Sequence, residues 1–351
     1  MKPITIGDKV IGHDCPTYMI AELSGNHGGD LNNCVELLHA ACDAGADAIK
    51  IQAYTPDTIT LNCDNEDFSI APDNAWASYG NLYNLYRYAH TPWDWFPTLF
   101  AVAQQRGVEL FGSVFDETSV DALQAHDCKA YKIASPEIID TGLLTKVAKT
   151  GKPVIVSTGL ANLSDIDEAV KFLRNAGCED IILLKCTTAY PTPPREVNLR
   201  TIQHLEDTFH CLSGLSDHSE GIGISIGAVA MGAHVIEKHV KLETNEETVD
   251  SFFSLTPSEF KTLIQEIRRV EAAIGEVDYA LSPEALKNKN GRRSLYISAD
   301  VQQGEPFSED NIKSVRPGYG LHPKYKNQVI GRTAKRDLKL GDRLTWDVID
   351  S

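Results

Sequence analysis

Between Tyr18 and about Gly275 the chain alternates short, β-rich apolar runs with amphipathic helical stretches, eight times over. No other feature confines the architecture as tightly. The strand-like runs are Tyr18 to Leu23, Ala46 to Gln52, Val108 to Ser113, Ala130 to Ala134, Pro153 to Ser157, Ile181 to Lys185, Cys211 to Leu215 and His234 to Lys238. Helical patterns lie between them, among them Leu31 to Ala44, Leu163 to Asn175 with Ser164 as its expected cap, and Pro257 to Ile274, where apolar residues recur at three to four. Eight strand-then-helix units in roughly 260 residues suit an α/β fold of the closed (β/α)8 TIM-barrel type better than an open doubly wound sheet.

A short internal echo supports repetition. Gly45 to Gln52 (GADAIKIQ) and Gly232 to His239 (GAHVIEKH) each lead from a Gly-Ala turn into a strand with a polar far end; chance likeness between short apolar strands is the alternative. After the second strand an irregular stretch, Tyr54 to Thr91, is rich in Asn, Asp and aromatic residues. It exceeds ordinary connections, and long insertions at the C-terminal face of a barrel often cover the active site, so a lid is expected. The charged run Glu284 to Arg293 (EALKNKNGRR) breaks the alternation and reads as a linker. The expected division is a barrel over 1–282, a linker over 283–293 and a small β-rich domain over 294–351.

Charge and apolar content exclude some partners. With 33 Lys plus Arg against 49 Asp plus Glu the formal charge is −16, and no basic block tracks a phosphate backbone, so no nucleic-acid partner is expected. No apolar run of about 18 residues and no signal-like N-terminus occur, so no membrane partner is expected and the location should be cytoplasmic. The eight cysteines show no Cys-x-x-Cys spacing and read as reduced residues, several of them in the core.

In a TIM barrel the polar residues at strand C-termini converge on one mouth and read as catalytic. Here those ends offer Glu22; Lys50 and Gln52; Ser113; Lys132, Ser135 and Glu137; Ser157; Lys185, Thr188 and Tyr190; Ser216, Asp217 and His218; and Glu237, Lys238 and His239. Lys50 and Lys132 interrupt apolar strands where period-two alternation points them inward. A buried lysine without an anionic partner is strongly disfavoured, so an anionic ligand is expected. Ser113, Ser135, Ser157, Thr188 and Ser216 ring the same mouth, and hydroxyls beside lysines form a phosphate-binding set. The implied ligand is a small phosphorylated acid. His218 and His239 close neighbouring strands and suit a divalent metal acting as a Lewis acid, with Glu22 completing or flanking the site; two histidines bonded to neighbours without metal are the alternative. The run GIGISIG (Gly221, Gly223, Gly227) misses the dinucleotide fingerprint by one residue and reads as close helix packing. Lys132 as a Schiff-base lysine is a rival that the surrounding hydroxyls oppose.

The strings AELSGNHGGDL (Ala21 to Leu31), IKIQAYTPDTITL (Ile49 to Leu61), YKIASPEIID (Tyr131 to Asp140), KPVIVSTG (Lys152 to Gly159), KCTTAYPTPP (Lys185 to Pro194), GLSDHSEGI (Gly214 to Ile222) and VIEKH (Val235 to His239) together resemble the sialic acid synthase family. The tail motif RPGYGLHPK (Arg316 to Lys324) is similar to the antifreeze-like (SAF) domain of those synthases, and SGNH, TPDTITL and TPWDW resemble the pseudaminic acid branch most. The resemblance implies condensation of phosphoenolpyruvate with a 6-deoxy-2,4-diacetamido hexose, aided by Mn²⁺, or by Mg²⁺ or Co²⁺ in its place, to give pseudaminic acid and phosphate. It implies that Lys50, Ser113, Lys132, Ser135, Ser157, Thr188 and Ser216 hold phosphoenolpyruvate, and that His218 and His239 bind the metal. Glu22, Gln52, Tyr190 and Asp250 would meet the amino sugar, and Glu137 would deprotonate the attacking water. It further implies a homodimer with a swapped C-terminal domain whose Arg316 reaches the sugar. The rivals are a synthase making N-acetylneuraminic or legionaminic acid and, more distantly, a non-enzymatic sugar- or ice-binding protein.

Overall fold

The computed structural model describes residues 1–243 and 247–350 and divides into two compact units, Met1–Gly275 and Glu276 onward. In the first, eight parallel strands close into a barrel: β3 (Tyr18–Glu22), β4 (Ala48–Ala53), β5 (Glu109–Val114), β6 (Tyr131–Ile133), β7 (Val154–Ser157), β8 (Ile181–Cys186), β9 (Leu212–Asp217) and β10 (Val235–His239), with β10 pairing back onto β3. These are the eight runs expected from the alternation, each within about two residues at its ends. Before them lies a small antiparallel hairpin that the sequence pattern does not reveal, β1 (Ile4–Ile6) paired with β2 (Lys9–Ile11). Its Ile4, Ile6 and Ile11 are buried in the barrel core.

Helix ends follow local chemistry. Asp30 caps the helix Leu31–Ala44 by accepting from the Asn32 and Asn33 amides, and Gly45, at φ 102°, ends it in the left-handed region that glycine adopts freely. The expected Ser164 cap is corrected by two residues: Asn162 caps the helix Leu163–Asn175, its side-chain oxygen accepting from the Ser164 and Asp165 amides. Asparagine one residue ahead of the first apolar position satisfies two free amides at once, which Ser164, already inside the helix, does not. Thr256 and Glu259 form a reciprocal cap on the helix Pro257–Ile274. In GIGISIG, Gly223 opens the helix Gly223–Ala230, and a Cβ on Gly227 would stand 3.2 Å from Leu199 Cδ1, in keeping with close packing.

The insertion is more regular than expected. It carries a one-turn helix Pro56–Ile59, two 3-10 turns and an eight-residue helix Leu82–Ala89 capped by Asn81. Its Asn-rich composition hid a strongly amphipathic segment, whose Leu85 and Ala89 pack with Val249 and with Ile70, Trp76 and Tyr86. The stretch 283–293 is exposed throughout and holds a short helix, Pro283–Lys287.

The second unit has its own core of Leu295, Ile297, Val301, Phe307, Ile312, Val329, Leu338 and Leu344 around the antiparallel pair β11 (Ser294–Ile297) and β12 (Ile312–Val315). Arg316 follows β12 directly and is exposed. Among the described residues no helix is long and apolar enough to cross a membrane. All eight cysteines are free thiols, five of them buried.

Candidate active site

Successive residues of a strand face opposite sides, and at the C-terminal ends of β9 and β10 this sorts the polar side chains into two sets. Asp217 and Lys238 turn outward, where Lys238 Nζ donates to Asp217 Oδ2 at 3.0 Å and Ser225 Oγ, from the covering helix, donates to the same oxygen at 2.6 Å. Ser216, His218, Glu237 and His239 turn inward. The close approach of these two strands depends on Gly214, since a Cβ there would lie 2.2 Å from the Val235 carbonyl oxygen. The inward set lines a cavity of about 510 Å³, within the range of small-molecule sites. Lys50, Gln52, Ser113, Lys132, Ser135, Glu137, Ser157, Thr188, Tyr190 and Asp250 line it too. Of the strand-end candidates Glu22, Lys185, Asp217 and Lys238 are outside that lining, and Arg316 belongs to the second unit.

Besides any anionic ligand, the two buried lysines have carboxylate partners within the protein. Lys50 Nζ stands 2.6 Å from Glu22 Oε2 and 3.4 Å from Glu237 Oε1, and Lys132 Nζ is 3.5 Å from Glu237 Oε2. Each partner comes from a strand end on the same inward phase, so barrel closure supplies the compensating charge that the chain order does not display. Lys50 also donates to Ser113 Oγ at 2.8 Å, and Ser216 Oγ donates to Glu237 Oε1 at 3.1 Å.

Burial is the largest influence on all four ionisable groups, and their neighbours decide which way each one moves. For Glu237 burial would raise the carboxyl, but Lys132 and then Lys50 outweigh it and hold it down at about 2. Burial raises the Glu22 carboxyl, an effect Lys50 offsets only in part. It would depress the Lys50 ammonium, yet Glu22 and Glu237 keep that group above its ordinary value. Lys132, more weakly compensated, is depressed by burial. Glu237 is thus the fixed negative charge between two ammonium groups.

Opposite this cluster the hydroxyls converge. Gly159 N–H donates to Ser135 Oγ at 2.9 Å, and a Cβ on Gly159 would stand 2.5 Å from Thr188 Oγ1 and 2.9 Å from Ser135 Oγ. Glycine here leaves open a cradle that any side chain would fill. Ser157 Oγ and Thr188 Oγ1 are buried with no hydrogen-bond partner, as is Glu137 Oε2. An unpaired buried polar atom costs about 1–3 kcal/mol, so several facing one cavity mark a place kept ready for an oxygen-rich ligand. Burial also pushes the Glu137 carboxyl up to about 7.

His218 and His239 stand edge to face with ring centroids 5.1 Å apart. His218 Nδ1 lies 3.2 Å from the Thr187 carbonyl oxygen. His239 Nδ1 is buried without a hydrogen bond, 3.6 Å from Asp250 Oδ2. Burial, then His218, hold the His239 ring well below the ordinary imidazole value, leaving it in the neutral form that ligates metals. Two imidazoles, an orphaned ring nitrogen and a nearby carboxylate fit a divalent ion. Asp250 also accepts from Ser24 Oγ, to which Gln52 Nε2 donates at 3.4 Å, and Tyr190 packs on His218 at 4.5 Å between centroids. Glu22, with Lys50 against it, belongs to the charge cluster.

Against known proteins, the sequence matches the NeuB family over residues 37–279 and the SAF domain over residues 292–349. This chain belongs to the NeuB family. It is 45% identical over 331 residues to the pseudaminic acid synthase of Campylobacter jejuni, covering 94% of this chain and 96% of that protein. It is 38% identical over 328 residues to the N,N'-diacetyllegionaminic acid synthase of the same species, covering 92% and 97%. Among solved structures, the spore coat polysaccharide biosynthesis protein spsE of Bacillus subtilis superposes with a TM-score of 0.68 at 33% identity, covering 100% of this chain and 99% of that one. The chain is an enzyme of the NeuB family, of the sialic acid synthase type.

Three features of this NeuB-family site are wholly or partly hidden in the sequence. Glu237 is visible there only as a polar strand end; its inward phase with His239 was the signal, while its partners on β4 and β6 are not. Cys186 lines the cavity in phase with Thr188, and His218 followed by Lys132 overcome burial to draw its thiol down to about 7. The insertion contributes an apolar wall of Ile70, Trp76, Leu85 and Tyr86, completed by Val249. Trp76 is fixed by donating Nε1–H to the Val249 carbonyl at 2.8 Å and lies 5.2 Å from the Tyr190 ring.

Proposed function

We propose that this enzyme condenses phosphoenolpyruvate with a 6-deoxy-2,4-diacetamido hexose in its open-chain form, giving pseudaminic acid and phosphate. The observation that carries the reading is the hydroxyl cradle of Ser135 and Thr188 at Gly159, with the Thr188 and Ser157 hydroxyls unpaired, in one cavity with the Lys50 and Lys132 ammonium groups. Those groups match the dianionic phosphate and the carboxylate of phosphoenolpyruvate, with Ser113, Ser135, Ser157, Thr188 and Ser216 supplying donors. A divalent ion such as Mn²⁺, held by His218 and His239, would supply Lewis-acid polarisation of the sugar aldehyde.

The methylene carbon of phosphoenolpyruvate forms the new bond to the aldehyde carbon, whose oxygen takes up a proton. Water adds to the adjoining phosphate-bearing carbon, Glu137 accepting its proton, and cleavage of the carbon–oxygen bond there releases phosphate and leaves the 2-keto acid. Gln52, Tyr190 and Asp250 orient the sugar. The wall of Trp76, Tyr86, Leu85 and Ile70 offers apolar contact to a 6-methyl group and acetamido methyls.

The direct test combines phosphoenolpyruvate, Mn²⁺ and a panel of free amino sugars, read by phosphate release and product mass. Turnover restricted to N-acetylmannosamine would remove the diacetamido assignment. Two further results are expected. Because only the carboxylate can take a proton from water, kcat/KM should fall as pH drops below about 7, the value to which burial raises Glu137. Glu137→Gln should erase that limb and lose about 10²- to 10⁴-fold in rate; persistence of the limb would assign it to another group. Trp76→Ala should reduce the preference for the deoxy sugar over N-acetylmannosamine by roughly 10- to 200-fold, the worth of one methyl in an apolar pocket. An unchanged ratio of the two kcat/KM values would clear Trp76 of that role.

A further inference from the structure

At the opposite end of the barrel a second cluster of ligating side chains assembles from three distant parts of the chain. His13 follows the N-terminal hairpin, Glu206 lies on the helix Thr201–Phe209, and His234 directly precedes β10. His13 Nε2 stands 3.1 Å from Glu206 Oε1, and His234 Nε2 stands 3.1 Å from Glu206 Oε2. Among the described residues this is the only trio of His, Cys, Asp or Glu whose donor atoms all lie within 4.8 Å of one another. His234 precedes His239 by five residues of extended chain, about 16 Å at 3.3 Å per residue, so the cluster is separate from the reaction cavity.

We propose that His13, Glu206 and His234 form a structural site for a zinc-class divalent cation that ties the hairpin and the Glu206 helix to the barrel seam. Glu206 is only 2% exposed, and among the described residues it pairs with no Lys or Arg. A carboxylate so placed calls for positive charge. The His13 and His234 rings meet edge to face with centroids 4.6 Å apart, and the ε-nitrogen of each is directed at the one Glu206 carboxylate. A cation shared by the two rings and Glu206 supplies that charge.

The donor set also fits. Two imidazoles and a carboxylate suit zinc, whose ligand bonds of about 2.0–2.1 Å set tetrahedral ligand atoms roughly 3.3 Å apart. The two contacts across Glu206 already have nearly that length. Ser213 Oγ donates to Glu206 Oε2 at 3.0 Å, which is the outer-shell support that ligands of bound metals commonly have. The His13 side chain is half exposed, giving the ion a way in and a place for a coordinated water. Position at the N-terminal face argues for stability as the role.

The test titrates chelator-treated full-length protein with Zn²⁺ against a chromophoric chelator and records thermal unfolding with and without one added equivalent. Wild type should take up an equivalent that raises the unfolding temperature. His239→Ala should retain it, which separates this site from the reaction cavity. His13→Ala, at a half-exposed position that the fold tolerates, should bind that equivalent at least about tenfold more weakly and lose the thermal shift. Glu206→Gln should do the same while keeping side-chain volume. If His13→Ala keeps wild-type stoichiometry, affinity to within tenfold and the thermal shift, the cluster is a proton-linked clamp and the proposal falls.

Discussion

Lys132→Met should lower kcat/KM for phosphoenolpyruvate by roughly 30- to 5,000-fold while leaving the sugar KM nearly unchanged. The Lys132 ammonium is 2% exposed and lies 3.5 Å from Glu237 beside the hydroxyl cradle. Methionine keeps most of the side-chain volume, so the change isolates the charge. Truncating one member of a buried, charge-paired site costs about 2–5 kcal/mol, which at about 1.36 kcal/mol per tenfold gives the stated range. Steady-state kinetics with each substrate varied in turn measure it. A variant within threefold of wild type would show that the phosphate is held elsewhere. Because burial depresses this ammonium, the same residue also suits Schiff-base chemistry; borohydride treatment with pyruvate or sugar should trap no adduct.

Glu237→Gln is expected to reduce the stability of the folded protein by about 3–5 kcal/mol, because it leaves two buried ammonium groups facing each other without their common counter-charge. For a unit of this size that lowers the unfolding temperature on the order of 10 °C. The effect has a defined pH window. The two lysines hold the Glu237 carboxyl at about 2, against an ordinary value of 4.5. Its contribution is therefore fully present above about 4.5 and is lost as pH falls toward 2. Denaturant melts of wild type and variant should converge across that interval. A difference in stability that is as large at pH 2.5 as at pH 7 would mean that Glu237 is not the ionised partner.

Much of the barrel is legible in the chain because each strand and helix carries its own periodicity. Ile181 to Lys185 is a run of four apolar residues and a lysine between turn signals, and it became β8 with one residue added. The hairpin Ile4–Ile6 and Lys9–Ile11 was not legible because three residues are too few to establish an alternation. Tyr54 to Thr91 looked irregular because its helix, Leu82–Ala89, is short and surrounded by asparagines and aromatics.

The site divides along the same line. That Lys50, Lys132, Ser113, Ser157, His218 and His239 would all face one mouth follows from strand phase, a local property that period-two alternation imposes wherever the strands lie. Which charges meet across that mouth does not follow. Glu237 on β10 reaches Lys132 on β6, four places away around the barrel, and no spacing along the chain encodes that contact. His13, Glu206 and His234 are likewise strangers in sequence, joined only where the hairpin, a helix and the last strand come together. Backbone sterics and side-chain alternation act over a few residues, so the order of elements and the direction of each side chain can be read from the chain. Coulomb energy and burial act through space, so the identity of each buried charge's partner is decided by closure of the barrel.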